Sequence, residues 1–306
     1  MDVLKTYDVI IIGGGPAGLS AGIYTARARL STLLIEKSAV GGQVINTWQV
    51  ENYPGLEIVS GIDLAQAMYK QVKKFGIEEI YTEVTGVEIE GALKVVRTSR
   101  GDFAAGAIIV ASGLERQKLG VPGEAEYTGK GVSYCATCDG AFFRDKVVIV
   151  VGGGDAAITE ALELTKFASK VIVIHRRKEL RATKILQEKA LAEPKINFMW
   201  DSAVEEIIGE TLVKQVRVRN IKTGQILTLD VSGVFISVGF KPNTGYLKGI
   251  VDIDDNGSII TNGRMETSVP GILAAGDIRS GSIRQLIAAA GDGAVAAISA
   301  EKYLTG

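Results

Sequence analysis

Histidine and cysteine are scarce: among 306 residues there is one histidine, His175, and two cysteines, Cys135 and Cys138. That set is too small for a four-ligand zinc site within one chain, so no metal is expected. No apolar run reaches the ~18 residues needed to span a bilayer, which excludes a helical membrane anchor. An excess of one charge is missing too. The 34 basic residues face 35 acidic ones, a net charge of −1, and no electrostatic footprint for nucleic acid follows. The stretch Met1 to Tyr7 carries acidic and basic residues and leads straight into a strand, so no signal peptide is expected. The cysteines then belong in a reducing, cytoplasmic setting, where a disulfide is catalytic and transient.

What is abundant is glycine, 37 residues, clustered after apolar strands. Residues 7–13 form a continuous apolar strand of the kind buried on both faces of a parallel sheet. It runs into Gly13-Gly14-Gly15-Pro16-Ala17-Gly18, a helix to about Arg29, and a second strand ending at Glu36. This βαβ unit carries G-x-G-x-x-G at its first turn, the pattern that lets a backbone approach a pyrophosphate at a helix N-terminus. Glu36 stands where an acid accepts hydrogen bonds from ribose hydroxyls. A helix is expected over 61–75, and short antiparallel strands over 77–110. The pattern then starts again: a strand over 146–151, Gly152-Gly153-Gly154-Asp155, a helix to about Ser169, and a strand over 170–175. Two dinucleotides are implied. Where the first unit has its acid, the second has His175-Arg176-Arg177, with Arg181 just beyond. Guanidinium groups there favour a 2′-phosphate, which an acid repels; a solvated basic turn is the plainer alternative. A hairpin turning at Thr223-Gly224 follows. Asp277 sits at the carboxyl end of a later strand, where ligands bind in open α/β sheets. A small-residue-rich helix is expected from Ser282 to Leu304, with Arg284 and Gln285 in its first turn.

Between the two units lies Ser133-Tyr134-Cys135-Ala136-Thr137-Cys138-Asp139-Gly140. Two cysteines at this spacing can close and open a small disulfide with little backbone movement. As a staple the bond would contribute little, because so short a loop has little entropy to lose. A pair of buried free thiols is the alternative. Asp139 can exchange the proton that thiol and thiolate require, or serve as a cap or turn residue.

Together these motifs, with Gly41-Gly42-Gln43, Glu51-Asn52-Tyr53-Pro54-Gly55 and Gly276-Asp277 followed by Arg284-Gln285, resemble the low-molecular-weight thioredoxin reductases across essentially the whole chain. The resemblance implies an α/β fold of two Rossmann-like dinucleotide-binding domains, each a parallel sheet with an added antiparallel β-meander. FAD would bind residues 1–116 with 244–306, contacting Gly13, Gly15, Gly18, Glu36, Gly42, Gln43, Asn52, Asp277 and Gln285. NADPH would bind residues 117–243, contacting Gly154, Asp155, Arg176, Arg177 and Arg181. The same middle domain would carry the redox pair, with Cys138 facing the flavin and Cys135 attacking the substrate. Thioredoxin or a similar small disulfide protein would be the partner, and the enzyme a cytoplasmic homodimer. A flavin-linked dithiol oxidase, or a reductase of another small redox protein, is the alternative. One local departure is the run Val44 to Gln49, bulkier than the threonine-rich segment expected there.

Overall fold

The computed structural model describes residues 4–47 and 50–306; Trp48 and Gln49, within the bulky run noted above, lie outside them. By compactness the chain divides into Met1–Glu115 with Lys241–Gly306, and Arg116–Phe240. The first unit opens with β1 (Lys5–Ile12), α1 (Pro16–Arg27) and β2 (Thr32–Glu36). Next come α2 (Gly61–Lys74), β3 (Glu78–Tyr81), β4 (Val84–Glu90), β5 (Leu93–Thr98) and β6 (Phe103–Val110). Helix α2 starts where Ser60 accepts the Asp63 amide at 3.0 Å, a side-chain N-cap. Its face of Leu64, Ala65, Met68 and Val72 is buried.

Strand β1 pairs in parallel with both β2 and β6. The early part of β6 also pairs antiparallel with β5, and β5 with β4. The expectation of antiparallel strands over 77–110 fails at β3, which joins β2 in parallel. It follows a crossover helix, and such a connection returns the chain in the same direction.

The chain leaves through β7 (Leu114–Arg116) and builds β8 (Val132–Ser133), α3 (Ala136–Asp139), β9 (Val147–Val151), α4 (Asp155–Leu164) and β10 (Lys170–Ile174). Helix α4 ends five residues short of the expected Ser169. There follow α5 (Lys184–Ala192), β11 (Ile196–Met199), β12 (Ser202–Gly209), β13 (Val213–Asn220), β14 (Ile226–Asp230) and β15 (Gly233–Ile236). One parallel sheet has the order β11-β10-β9-β15-β8, and β12-β13-β14 form a separate meander. The β13–β14 hairpin turns through Thr223-Gly224, with the Gly224 amide donating to Asn220 O. The central strands β9, β10 and β15 are almost wholly apolar and buried, as a sheet covered on both faces requires.

Strand β16 (Phe240–Pro242) pairs with β7, and the chain re-enters the first unit. There β17 (Ile272–Ala274) extends β6 in parallel, and α6 (Leu286–Thr305) closes the fold. The helix expected from Ser282 thus begins four residues later, and Arg284 and Gln285 precede it. Arg284 has φ of 55°, in the left-handed region that a right-handed helix excludes, and Gln285 is the extended N-cap. Small residues let α6 lie close on α1: a Cβ on Gly293 would sit 2.0 Å from Ala17 O.

Candidate functional site

The carboxyl ends of β1 and β2 carry the first glycine turn. Gly13 has φ of 109°, and a Cβ there would meet Ala111 O at 2.4 Å. A Cβ on Gly18 would fall 1.8 Å from Gly13 O, so α1 can pack here only without a side chain. Gly15 differs, because its Cβ would meet nothing nearer than Gly42 Cα at 3.8 Å. It is the N-cap of α1, and no side chain caps the helix. Open space before an uncapped helix start is the cradle a pyrophosphate fits.

Glu36 accepts the Gly14 amide at 2.7 Å and the Ser38 amide at 2.9 Å. A carboxylate has about four acceptor positions, so both oxygens keep capacity for ribose hydroxyls. Gln43 donates to Leu114 O at 3.2 Å. Asn52 and Gln285, 233 positions apart, meet through a 3.1 Å hydrogen bond. Asp277 follows β17 in a short 3-10 turn. Burial pushes its carboxyl above the usual range, opposed by the hydroxyl of Ser282. The donor and acceptor set fits a dinucleotide carrying a polar ring system.

The second turn, after β9, repeats this geometry with a different support. Gly152 has φ of 150°, and its Cβ would meet Ser237 O at 2.2 Å. Gly153 lies against the ring of His175, where a Cβ would come within 2.4 Å. Gly154 meets nothing within 4 Å and is the uncapped N-terminus of α4. Gly153 O accepts the Arg181 and Ala182 amides at 2.7 and 3.2 Å. Asp155 accepts the Thr183 amide at 2.6 Å. The C-terminal end of the arginine-bearing loop is thereby tied to the turn at two points. A cavity of about 390 Å³ opens beside it, lined among others by Leu119, Gly152, Gly153, His175, Arg176 and Arg181. Arg177 is exposed and lies outside that lining. An uncapped helix start beside cationic side chains fits an anionic, 2′-phosphorylated dinucleotide.

Sequence reasoning placed His175 where the first unit has its acid but gave the imidazole no role of its own. In the fold it is 4% exposed, its Nε2 lies 3.1 Å from Glu179 O, and its ring meets Trp200 edge-on. Burial holds its pKa below the ordinary histidine value, and the nearby arginines act in the same direction. The signal was available: a lone imidazole directly after the second strand of a dinucleotide turn.

Cys135 and Cys138 form a disulfide, with Cα atoms 5.3 Å apart. Cys135 is the extended N-cap of α3, and its Sγ accepts the Cys138 amide at 3.2 Å. Cys138 is exposed and Cys135 half-buried. Asp139 ends α3 rather than capping its start, and Ser133 Oγ donates to its Oδ2 at 2.6 Å. On the neighbouring 3-10 turn, Phe142 is 74% exposed. Composition gave no sign of that, because burial of a Phe-Phe pair is the default expectation. Tyr134 OH donates to Glu124 at 2.6 Å. Burial pushes the Glu124 carboxyl up, but Tyr134 and the Leu119 and Gly120 amides outweigh it and hold it below the usual range.

Comparison with known proteins adds independent findings. A family profile described as pyridine nucleotide-disulphide oxidoreductase matches residues 7–293. The thioredoxin reductase of Bacillus subtilis (strain 168) is 48% identical over 301 residues, covering 98% of this chain and 95% of its own. That of Peptoclostridium acidaminophilum is 46% identical over 307 residues, covering 98% of both chains. Among solved structures, Lactococcus lactis thioredoxin reductase superposes with a TM-score of 0.94 at 46% identity, covering 98% of this chain and 99% of the other. The T. acidophilum thioredoxin reductase gives 0.93 at 32% identity, covering 99% and 100%.

Proposed function

The chain belongs to the pyridine nucleotide-disulphide oxidoreductase family, matched along nearly its full length by thioredoxin reductases, and we propose how its residues carry out that activity. It is an NADPH-dependent thioredoxin-disulfide reductase using FAD. Electrons pass from NADPH through FAD and the Cys135–Cys138 disulfide to thioredoxin. Bound FAD supplies the link between two-electron nicotinamide chemistry and thiol chemistry.

Residues 1–116 with 244–306 hold FAD, and residues 117–243 hold NADPH. In the first, Gly13, Gly15 and Gly18 shape the turn, and Gly42 faces Gly15 across the opening. Glu36 takes the adenosine ribose hydroxyls, while Gln43, Asn52, Asp277 and Gln285 supply polar contacts. In the second, Gly154 lets the pyrophosphate approach α4, and Asp155 fixes the loop from which Arg176, Arg177 and Arg181 reach the 2′-phosphate. The first attack by the reduced pair is the task of Cys135, whose thiolate breaks the disulfide of the protein substrate and forms a mixed disulfide with one of its sulfurs, the other leaving as a thiolate. Cys138 resolves the mixed disulfide by attacking Cys135. Asp139, next in the chain, gives and regains the proton. Phe142, aromatic and exposed beside the pair, offers an apolar anchor to the partner. The enzyme works in the cytoplasm as a homodimer.

The observation that carries this reading is the Cys135–Cys138 disulfide, held in the same unit as the glycine turn with its arginine loop. The test is NADPH oxidation by the FAD-loaded protein with purified thioredoxin as acceptor. Rapid, thioredoxin-dependent oxidation is expected. NADPH oxidation that oxygen or another small redox protein sustains equally well, with thioredoxin inert, would overturn it.

A further inference from the structure

Asp139 needs something to hold it in both of its charge states, and the residue placed to do so is Ser133. Ser133 ends β8 and is fixed by pairing with Phe235 of β15. It is 4% exposed. Its hydroxyl oxygen lies 2.6 Å from Asp139 Oδ2, accepts the Cys135 amide at 3.0 Å, and lies 3.3 Å from Cys135 O. A serine hydroxyl has one proton to give and two lone pairs to receive with. When Asp139 is a carboxylate, the Ser133 proton points to Oδ2 and the Cys135 N–H fills a lone pair. When Asp139 is a carboxylic acid with its proton on Oδ1, Oδ2 still accepts from Ser133, and the Oδ1–H is left for transfer. The same few atoms therefore accommodate Asp139 before and after it gives up its proton, without moving its side chain.

We propose that Ser133 is a positioning residue that holds the carboxyl of Asp139, next in the chain to Cys138, in place through proton transfer. This rests on the reading of Asp139 as the proton donor. Reduction of the pair consumes two electrons, which NADPH provides through FAD, and two protons. The S–S bond breaks and each sulfur ends as a thiol: one hydrogen is the one NADPH delivers with its electron pair, by way of FAD, and Asp139 supplies the other as a proton, becoming a carboxylate that water reprotonates. Without the Ser133 hydroxyl, the carboxyl group loses the hydrogen bond that fixes it, and transfer slows.

The test is a double-mutant cycle on the FAD-loaded enzyme, reading kcat with thioredoxin. General acid–base groups contribute on the order of 100- to 10,000-fold, so Asp139→Asn is expected to lose about 100-fold or more. Ser133→Ala is expected to lose roughly tenfold, a part of that contribution. Ser133→Thr, which keeps the hydroxyl, should recover most of the rate. In the Asp139→Asn background, Ser133→Ala should cost less than about twofold, because a residue acting through another has nothing left to act on. NADPH bleaching of the flavin, which precedes the disulfide, should be unchanged in Ser133→Ala, and its melting temperature should confirm the fold. Equal losses from Ser133→Ala in both backgrounds, or no loss in either, would overturn the proposal while leaving Asp139 in place. A fully active Asp139→Asn would instead remove the reading beneath it.

Discussion

Two adjacent glycines of the second turn should fail in opposite ways when changed to alanine. At Gly153 the added methyl would sit 2.4 Å from the Nδ1 and Cε1 atoms of His175. The ring cannot retreat easily, being buried, engaged with Glu179 O and packed edge-on against Trp200. Overpacking of this kind costs about 1–3 kcal/mol. For a unit of this size, ~4 °C is lost per kcal/mol, so the melting temperature of Gly153→Ala should fall by roughly 4–12 °C. At Gly154 the methyl meets nothing within 4 Å, and as an N-cap alanine is worse than glycine by about 1 kcal/mol or less. The fold should survive. The methyl occupies the approach to the first amides of α4, however, where a pyrophosphate would accept charge-assisted hydrogen bonds. Losing one such bond costs about 1.5–3 kcal/mol, so the KM for NADPH should rise roughly 10- to 100-fold. Thermal melts of the two variants and steady-state kinetics with NADPH separate the effects. If Gly154→Ala keeps its KM, the turn does not hold the pyrophosphate. If Gly153→Ala melts with the parent, the packing argument is wrong.

Three further outcomes are expected. Replacing Arg176 and Arg177 by Ala should raise the KM for NADPH far more than that for NADH, and an unchanged ratio of kcat/KM values would refute the coenzyme assignment. Cys135→Ser and Cys138→Ser should both retain flavin bleaching by NADPH and lose thioredoxin reduction; turnover in either would refute the dithiol route. The one histidine gives a single imidazole C2 proton resonance, whose titration midpoint should lie below 6.5, the ordinary value, because His175 is buried. The unfolded chain then takes up that proton first as pH falls, so the His175 contribution to stability is full above about 6.5 and declines toward the lower folded value; a midpoint above 6.5 would contradict the burial.

Both glycine turns were legible because each requirement is local: an apolar strand, residues without side chains, and a helix following. The cysteine pair was legible for the same reason. What escaped depends on contacts distant in sequence. The parallel direction of β3 is set by the crossover through α2, not by its own residues. The start of α6 is set by the left-handed Arg284, which no propensity favours. Asp155 reads as a ligand of NADPH from its place in the motif, yet its visible partner is the Thr183 amide, 28 positions on. The link from Ser133 to Asp139 needs the turn of α3 to bring residues six apart together.

Under the proposed assignment, the two turns set one scaffold for two coenzymes. In the first, Glu36 follows directly from the β2 pairing and takes the Gly14 amide at 2.7 Å. In the second, the residue after β10 is His175, and its ring covers the corresponding glycine, Gly153. A neutral imidazole thus stands where the first unit has its carboxylate, and removes the charge that would repel a 2′-phosphate. His175→Glu should reverse this. The new carboxylate would come within reach of the Gly153 amide, as Glu36 does with Gly14, and would offer acceptors to ribose hydroxyls. It would also face the 2′-phosphate of NADPH at short range, beside Arg176 and Arg181. The ratio of kcat/KM for NADPH to that for NADH should fall by about tenfold or more, equivalent to ~1.4 kcal/mol of discrimination. The measurement is the pair of coenzyme titrations in His175→Glu and in His175→Gln, which changes shape without charge. Equal ratios in the two variants would mean that the charge at this position does not select the coenzyme, and that the arginine loop does so alone.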